Sequence, residues 1–287
     1  MAELFKDPEL ERTICEKGYA IVPVLSPDAV KKLKDETNTF IKTLPPDYLS
    51  GFLSLGRVSE PGLRQRSTQI IQQYFIPYLK EFLIEDKVDI RSGVHLIKIP
   101  GRKGLLDIHQ DSSMVDERKY LSVYAWTPLQ YTHKWNGTLS IIPGSHMLGN
   151  IHRSLNVYNP FVNYLSALKK FQVPLSVKPG EVVFFHSALM HSSALNFSLR
   201  KRIAINCFIK PKDAPLTHYY RDDQTPAGKV EKFEVPPEFY FKEDIMARPN
   251  AALYPLSGME SWAVPTLSPT EFEALSERFL KPYSTKG

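Results

Sequence analysis

The sequence has few cysteines and no long apolar run. Its only two cysteines, Cys15 and Cys207, lie far apart and show no paired spacing. Two cysteines placed in this way cannot form a zinc ribbon and do not indicate a disulfide framework. Residues 1–13 contain no apolar h-region, so no secretory signal is expected. No stretch approaches the roughly 18 apolar residues that a membrane span requires. A cytoplasmic, reducing environment without membrane insertion is therefore the expectation.

The chain also has no large excess of positive or negative charge. The chain carries 36 Lys and Arg against 31 Asp and Glu, a net charge of +5. The basic cluster at 31–34 is typical of a solvated helix face. No dense basic stripe with interleaved aromatic residues is present, so nucleic acid is not an expected partner. The hydrophobic share of 43% is that of an ordinary globular protein with a substantial core.

The N-terminal third predicts helices around one strand. A helical pattern over Leu10–Lys17 ends at Gly18, a favoured helix terminator. The segment 19–25 (YAIVPVL) is strand-like, and Pro23 within it favours an edge position. Ser26 followed by Pro27 is a strong signal for the start of a second helix.

A longer helix is predicted over Gly62–Ile84, where apolar residues recur at helical spacing. Pro77 should bend or divide it, because proline removes a backbone donor and clashes with the preceding turn. No repeat and no linker interrupts the sequence. We therefore expect a single domain over 1–287, with a helical part at about 1–90, a core at about 91–211 and a C-terminal extension at about 212–287.

From Ser92 onward the sequence predicts short strands separated by turns, a rhythm typical of sandwiches and barrels. The candidate strands are Val94–Ile99, Tyr120–Pro128, Thr138–Ile142, Gln172–Val177, Glu181–Phe185 and Arg202–Ile209. Pro-Gly and Asn-Gly dipeptides separate several of them. With helices packed outside, the expected fold is mainly β with flanking helices, built on a double-stranded β-helix (a jelly-roll or cupin-like core).

His109-Gln110-Asp111 is the first candidate for chemistry. On an extended backbone, side chains two residues apart point to the same face. An imidazole and a carboxylate can therefore reach one cation from a single strand end. A lone His-x-Asp is weak support, because most occurrences are accidental. His191, which follows the apolar strand at 181–185, is the second candidate. Two histidines and one carboxylate on one face of a metal, with the other positions open, match the facial triad of non-haem Fe(II) oxygenases.

Arg202 is the third candidate. A guanidinium can bind the distal carboxylate of a dianionic 2-oxo acid in bidentate fashion. Arg202 begins the apolar strand that follows His191, and the hydroxyl of Ser193 can join the same carboxylate. Arg200 competes for this role, because it lies two residues away on an extended strand. The separation from His191 favours Arg202.

Together and in this order, the motifs resemble the phytanoyl-CoA dioxygenase family of Fe(II)/2-oxoglutarate oxygenases. The resemblance covers about Ser92–Pro211 and, more loosely, Gly18–Thr43. The residues that carry it are His109-Gln110-Asp111, Ala125-Trp126-Thr127, Asn136-Gly137, Pro143-Gly144-Ser145-His146, the segment from Gly180 to His191, and Asn196, Ser198 and Arg202.

The resemblance implies a distorted jelly roll that holds Fe(II) through His109, Asp111 and His191. It also implies that 2-oxoglutarate chelates the iron and pairs with Arg202. O₂ would then be consumed with release of succinate and CO₂ as a substrate is oxidised. Related halogenases replace the carboxylate with a small residue to admit chloride. Asp111 therefore favours hydroxylation or desaturation over halogenation.

Several other residues are candidates for substrate contact. Ser112 follows the metal-binding aspartate, and Tyr124 and Trp126 share one face of their strand, where a core role is equally compatible. His95 can face the cosubstrate or be a packed histidine. His146 and His186 are interpreted as structural residues rather than additional ligands. The long segment 147–171, with a helix near 162–170, and the aromatic clusters at 219–221 and 239–241 are candidates for closing the pocket.

The family name does not fix the substrate, because the motifs cover the metal site and not the specificity loops. A small metabolite is expected, for example an amino-acid-like, polyketide, terpenoid or other natural-product intermediate. One rival is a non-catalytic jelly-roll binding protein, which should have lost part of the His109, Asp111, His191 and Arg202 quartet. Another is a cupin-like enzyme with a different metal, which would not consume 2-oxoglutarate. The sequence does not favour a monomer over a dimer.

Overall fold

The computed structural model describes residues 3–148, 151–157, 159–263 and 266–284. The α-helices are α1 (Pro8–Lys17), α2 (Pro27–Ile41), α3 (Pro61–Tyr74), α4 (Ile76–Lys80), α5 (Leu165–Lys169), α6 (Phe239–Lys242) and α7 (Pro269–Ser284). The strands are β1 (Tyr19–Pro23), β2 (Phe52–Ser54), β3 (Val88–Lys98), β4 (Leu106–His109), β5 (Val123–Pro128), β6 (Leu139–Ile141), β7 (Val173–Pro174), β8 (Glu181–His186), β9 (His191–Ser193), β10 (Arg202–Pro211), β11 (Thr217–Tyr220), β12 (Lys229–Glu234) and β13 (Leu256–Ser261). Short 3-10 turns occupy Pro46–Tyr48, Ser145–Leu148 and Val162–Tyr164.

Two antiparallel sheets form the core. The larger sheet has six strands in the order β1-β8-β5-β10-β3-β2, and the smaller has four in the order β4-β9-β6-β7. Neighbouring strands within each sheet are far apart in sequence, as expected of a jelly roll rather than a meander. The predicted fold class, mainly β with flanking helices around a jelly-roll core, is confirmed.

The two faces of β10 explain why the sequence of this strand is apolar almost throughout. Ile203 and Ile205 pack in the cluster beneath the helices, whereas Ala204 and Phe208 pack in the cluster between the sheets. Alternate side chains of a strand point to opposite faces. A strand covered on both sides therefore needs apolar residues at nearly every position. Arg202 begins the inward-facing set, and this places a guanidinium inside the jelly roll.

The N-terminal helices form as their local signals predict. Gly18 ends α1 with a φ of 88°, a left-handed conformation that glycine adopts without a Cβ penalty. The Ser26 hydroxyl accepts a hydrogen bond from the Ala29 amide at the start of α2. The strand β1 lies at the edge of the six-stranded sheet, so Pro23 removes no interior ladder bond. Helices α1 and α2 pack on the outer face of the larger sheet.

The helix predicted over Gly62–Ile84 is divided, as expected from its proline. The break falls at Phe75, between α3 and α4, and Pro77 lies in the first turn of α4. Proline is tolerated there, because the first-turn amides have no intrahelical acceptor. The predicted strand Gln172–Val177 shortens to the two-residue β7, while β3 begins six residues earlier than predicted.

The C-terminal extension contains a third sheet that the sequence did not predict. Its strands pair in the order β11-β12-β13. Helix α7 packs on the helix found within segment 147–171, where the Phe272 ring stacks on Tyr164 at 4.0 Å between centroids. Within the described residues, no helix is long and apolar enough to cross a membrane.

Candidate active site

His109 and His191 are brought together by strand pairing. His109 is the last residue of β4, His191 is the first of β9, and the two are direct partners in the antiparallel register. Directly opposed side chains on one face of such a pair lie close together. Their imidazole rings have centroids 4.3 Å apart. The smaller sheet therefore positions both predicted histidine ligands at its edge.

Asp111 completes the group from just beyond the end of β4. Its Oδ1 lies 3.9 Å from His109 Nε2, and its Oδ2 lies 3.7 Å from His191 Nε2. Two donors bound at right angles to one cation, each about 2.1 Å from it, are about 3 Å apart. A modest contraction would bring these three side chains onto one ion. Among the described residues, this is the one cluster of histidine, cysteine and carboxylate groups with metal-binding spacing.

Hydrogen bonds orient both imidazoles toward the shared centre. His109 Nδ1 lies 2.8 Å from the Asp107 carbonyl oxygen, and His191 Nδ1 lies 2.9 Å from that of Leu189. A carbonyl only accepts hydrogen bonds, so each Nδ1 carries the proton and each Nε2 presents its lone pair. Burial, followed by the neighbouring His191, lowers the pKa of His109 to about 4. His109 is therefore neutral at pH 7, the form that binds a metal.

The loop that carries Asp111 is held by a buried ion pair that the sequence did not reveal. Arg153 donates from Nε to the Asp111 carbonyl at 2.8 Å. Its Nη2 donates to both carboxylate oxygens of Glu117, at 2.7 and 2.8 Å. Both side chains are more than nine-tenths buried. Ser187, which follows β8, donates a further hydrogen bond to Glu117 at 2.8 Å. The network ties the metal-site loop to the larger sheet.

Arg202 lies inside the jelly roll with one nitrogen uncommitted. Its Nε donates to the Gly137 carbonyl at 3.0 Å, and its Nη2 donates to Ser193 Oγ at 3.2 Å. Its Nη1 is buried and has no hydrogen-bond partner among the described residues. The Trp126 ring lies below the guanidinium, 5.9 Å from Cζ to the ring centroid. Burial lowers the Arg202 pKa to about 10, so the group stays charged at neutral pH.

Ser193 orients the neighbouring cations. Its Oγ accepts hydrogen bonds from Arg202 and from Lys98, the latter at 2.7 Å, and donates its proton to the Gly137 carbonyl at 2.8 Å. Lys98, which the sequence did not mark as functional, is the register partner of Arg202 on β3. Burial and the nearby guanidinium lower the pKa of Lys98 to about 7. Two buried basic side chains thus meet at one serine hydroxyl.

A cavity between the sheets joins the three metal-site residues to Arg202 and Ser193. Ser112, Tyr124 and Trp126, the three other candidates for substrate contact, also line it. The remaining lining residues are Phe52, Ser54, Gly56, Arg57, Arg64, Thr68, Val94, Leu96, Leu106, Met114, Leu139, Leu155, Phe185, Ser192, Asn206, Phe208, Tyr240 and Ile245. The wall therefore includes Tyr240 from the aromatic cluster at 239–241. Tyr219, from the cluster at 219–221, is fully buried and does not line the cavity.

The structure does not bring His95 to this cavity. His95 is fully buried, with Nδ1 2.8 Å from Ser67 Oγ and Nε2 3.0 Å from Thr37 Oγ1. Its side chain points from β3 toward the helices, on the face opposite to the cavity-lining Leu96. The packed-histidine interpretation therefore replaces the substrate contact considered for His95.

The other histidine and arginine candidates also lie apart from the cavity. His146 and His186 face one another with ring centroids 5.0 Å apart, and His146 Nε2 bonds to the Cys15 carbonyl at 2.8 Å. Neither lines the cavity. Arg200 is exposed on the loop before β10 and is also absent from the cavity wall. Of the two arginines weighed for the cosubstrate carboxylate, Arg202 lines the cavity and Arg200 does not.

The donor set fits the groups that the sequence implies. Two imidazole nitrogens and one carboxylate, open to a cavity, form the facial arrangement that suits non-haem iron. The unpartnered Nη1 of Arg202, on the same cavity wall, fits the distal carboxylate of a 2-oxo acid. The rest of the wall is mainly apolar, which suits the exclusion of water from an oxidising centre.

Comparison with solved structures supports the fold. One similar structure is HygX from Streptomyces hygroscopicus, solved with nickel, 2-oxoglutarate and hygromycin B. It shares 14% identity over 72% of this chain and 88% of its own, with a TM-score of 0.52. Another is the epimerase SnoN in complex with Fe³⁺, α-ketoglutarate and nogalamycin RO. It shares 17% identity over 76% of this chain and 86% of its own, also with a TM-score of 0.52. At this identity the likeness concerns architecture.

Sequence relatives connect the chain to one family. Phytanoyl-CoA dioxygenase 1 of Oryza sativa subsp. japonica is 33% identical over 41% of this chain and 43% of its own. The peroxisomal phytanoyl-CoA dioxygenase of Homo sapiens is 28% identical over 44% of this chain and 38% of its own. The matches thus span less than half the length of these relatives. The family model of phytanoyl-CoA dioxygenase matches residues 14–204, well over half of the 287 residues. The chain belongs to the phytanoyl-CoA dioxygenase family.

Proposed function

We propose that the protein is an Fe(II)- and 2-oxoglutarate-dependent dioxygenase acting on a small-molecule metabolite. In this proposal His109, Asp111 and His191 hold the iron, and Arg202 binds the distal carboxylate of 2-oxoglutarate. The observation that carries the proposal is the convergence of these four side chains on one cavity. Family membership adds independent support.

The chain's own residues prepare the site in three ways. Backbone carbonyls fix both imidazoles with Nε2 free, so little reorganisation is needed when a metal binds. Arg153 fixes the backbone of Asp111 and so limits the positions that its carboxylate can take. Gly137 and Ser193 hold the Arg202 guanidinium in place, leaving Nη1 for a carboxylate oxygen. The mainly apolar wall excludes competing water.

When bound, iron and 2-oxoglutarate would supply the oxidation, in which O₂ is consumed, succinate and CO₂ are released, and the substrate loses a hydrogen atom. Because Asp111 keeps a carboxylate at the metal site, we favour hydroxylation or desaturation over halogenation. The position of the substrate relative to the metal then determines which bond reacts.

Anaerobic titration with Fe(II) and then 2-oxoglutarate tests the proposal. The metal-to-ligand charge-transfer band of chelated 2-oxoglutarate should appear in the wild type and be absent from a folded His109→Ala variant. Arg200→Ala is the matched control, because this exposed arginine lies outside the cavity. A folded wild type that binds Fe(II) without the band would contradict the proposal and favour a different metal. A wild type that binds no metal would favour a non-catalytic binding protein.

A further inference from the structure

Arg64 is a second buried guanidinium on the cavity wall. It projects from α3 and only 7% of the residue is exposed. Its Nη1 donates to the Glu243 carbonyl at 3.0 Å. Its Nε is buried and has no hydrogen-bond partner within the described part of the chain. The metal site and the proposed 2-oxoglutarate anchor do not require this residue.

No carboxylate of the described residues forms an ion pair with Arg64. Glu243 offers Arg64 its backbone carbonyl, and its carboxylate instead accepts a hydrogen bond from the Tyr254 hydroxyl at 3.0 Å. A buried charge is costly unless a counter-charge and hydrogen bonds compensate it. A guanidinium kept in this position on a cavity wall therefore indicates a ligand that carries the counter-charge.

The charges on the cavity wall point the same way. Arg57, Arg64 and Arg202 line the cavity, whereas Asp111 is the one acidic residue among its lining residues. Asp111 belongs to the metal site and Arg202 to the proposed cosubstrate anchor, so Arg57 and Arg64 remain. Arg57 is exposed and lines the same cavity. Outside the metal site, no acidic residue among the described lining residues balances these two arginines.

The other lining residues indicate the polarity of the rest of the ligand. Apolar side chains such as Phe52, Leu96 and Phe208 dominate it. Asn206, two residues before Phe208 on the same face of β10, also lines the cavity, and its buried Oδ1 has no hydrogen-bond partner among the described residues. This amide suits a hydroxyl or amide group of a ligand that is otherwise mainly apolar.

We propose that the substrate is a mainly apolar small molecule with one anionic group, a carboxylate or phosphate monoester, which binds Arg64. This inference rests on the proposed function, because it assigns the cavity beside the metal site to the substrate. The anionic group fixes the orientation of the molecule, and the apolar wall holds the part that is presented to the metal site. In this arrangement Arg202 binds the cosubstrate and Arg64 selects the substrate.

Matched probes of one chain length test the selectivity. Octanoate, octyl phosphate and 1-octanol are titrated by calorimetry into the full chain loaded with Ni(II) and 2-oxoglutarate, which prevents turnover. A charge-assisted hydrogen bond contributes about 1.5–3 kcal/mol, so at least one anion should bind about 10- to 100-fold more tightly than the alcohol. The better-bound of octanoate and octyl phosphate identifies the anionic group.

Variants assign the selectivity to Arg64. Arg64→Gln should remove the preference for the anion and leave the affinity for 1-octanol unchanged, and Arg64→Lys should retain part of the preference. Arg66→Gln is the matched control, because Arg66 is exposed on the same helix and does not line the cavity. If Arg64→Gln does not fold, the comparison of Arg64→Lys with wild type decides, since a shorter single-point cation must weaken bidentate anion binding.

Binding of 2-oxoglutarate separates this inference from the proposed function. Arg64→Gln should leave the Fe(II)/2-oxoglutarate charge-transfer titration unchanged. A wild type that shows the band but binds the three probes equally, or binds none of them, overturns the anionic-substrate inference and leaves the proposed function intact. Loss of the band in Arg64→Gln also overturns it, because Arg64 would then serve the cosubstrate. Absence of the band from the wild type contradicts the proposed function itself.

Discussion

Lowering the pH from 7 to 5 should destabilise the protein through His95. This residue is fully buried between Thr37 and Ser67, which bond to its two ring nitrogens. Burial lowers the His95 pKa from 6.5 to about 3. The folded state therefore keeps the ring neutral across a range of pH in which the unfolded chain takes up a proton.

The size and sign of the effect follow from these two pKa values. Above pH 6.5 the ring of His95 is neutral in both states, and the full stability is present. As the pH falls from 6.5 toward 3, the unfolded state binds more protons than the folded state, so stability is lost. With pKa values of 6.5 and about 3, the loss between pH 7 and pH 5 is about 2 kcal/mol.

Urea unfolding at pH 7 and pH 5 measures this loss in wild type and in His95→Gln. The glutamine does not titrate, so the pH-dependent loss should shrink by about 2 kcal/mol. Other groups titrate in both proteins and cancel in the comparison. Equal pH-dependent losses in wild type and His95→Gln would refute the reasoning.

Three further changes probe the site. Arg202→Ala should weaken 2-oxoglutarate binding about 10- to 100-fold, because it removes a charge-assisted contact; an unchanged midpoint in the charge-transfer titration would move that role elsewhere. Glu117→Gln leaves a buried guanidinium unpaired and should lower stability by about 3–5 kcal/mol in urea unfolding, with weaker Fe(II) binding; a change below 1 kcal/mol would contradict it. Gly137→Ala should weaken 2-oxoglutarate binding without changing a metal ligand, because the added Cβ would lie 2.5 Å from Lys98 Cδ and the residue has a φ of 71°. Unaltered affinity in the same titration would show that this turn does not orient Arg202.

The residues of the candidate metal site could be picked out from sequence because each part carries a distinctive local pattern. His109 and Asp111 are separated by one residue in the chain, and His191 follows a clearly apolar strand. The strand signals for β8 and β10 were strong, because both strands are buried on two faces and read as continuous apolar runs. The order of the motifs along the chain resembles that of a family with a jelly-roll core, and this topology brings the distant motifs together.

The supporting residues could not be predicted because tertiary contacts define them. Lys98, Arg153 and Arg64 resemble surface cations in sequence, yet each is buried by elements distant along the chain. Arg64, for example, meets the carbonyl of Glu243, 179 residues away. The weakly apolar strands of the C-terminal sheet gave no clear alternation, so that sheet was also missed. His95 lies on a strand whose alternate side chains point either toward the cavity or toward the helices. The sequence alone did not show which way the His95 side chain points.

The fate of ¹⁸O₂ tests the central claim most directly. Reconstituted wild-type protein is incubated with Fe(II), 2-oxoglutarate and ¹⁸O₂ without an added substrate, and succinate from slow uncoupled turnover is analysed by mass spectrometry. We expect succinate with one ¹⁸O atom from the wild type and none above the protein-free background from a folded Asp111→Ala variant. Unlabelled succinate, or equal labelling with Asp111→Ala, would contradict the assignment of His109, Asp111 and His191 as an oxygen-activating iron site.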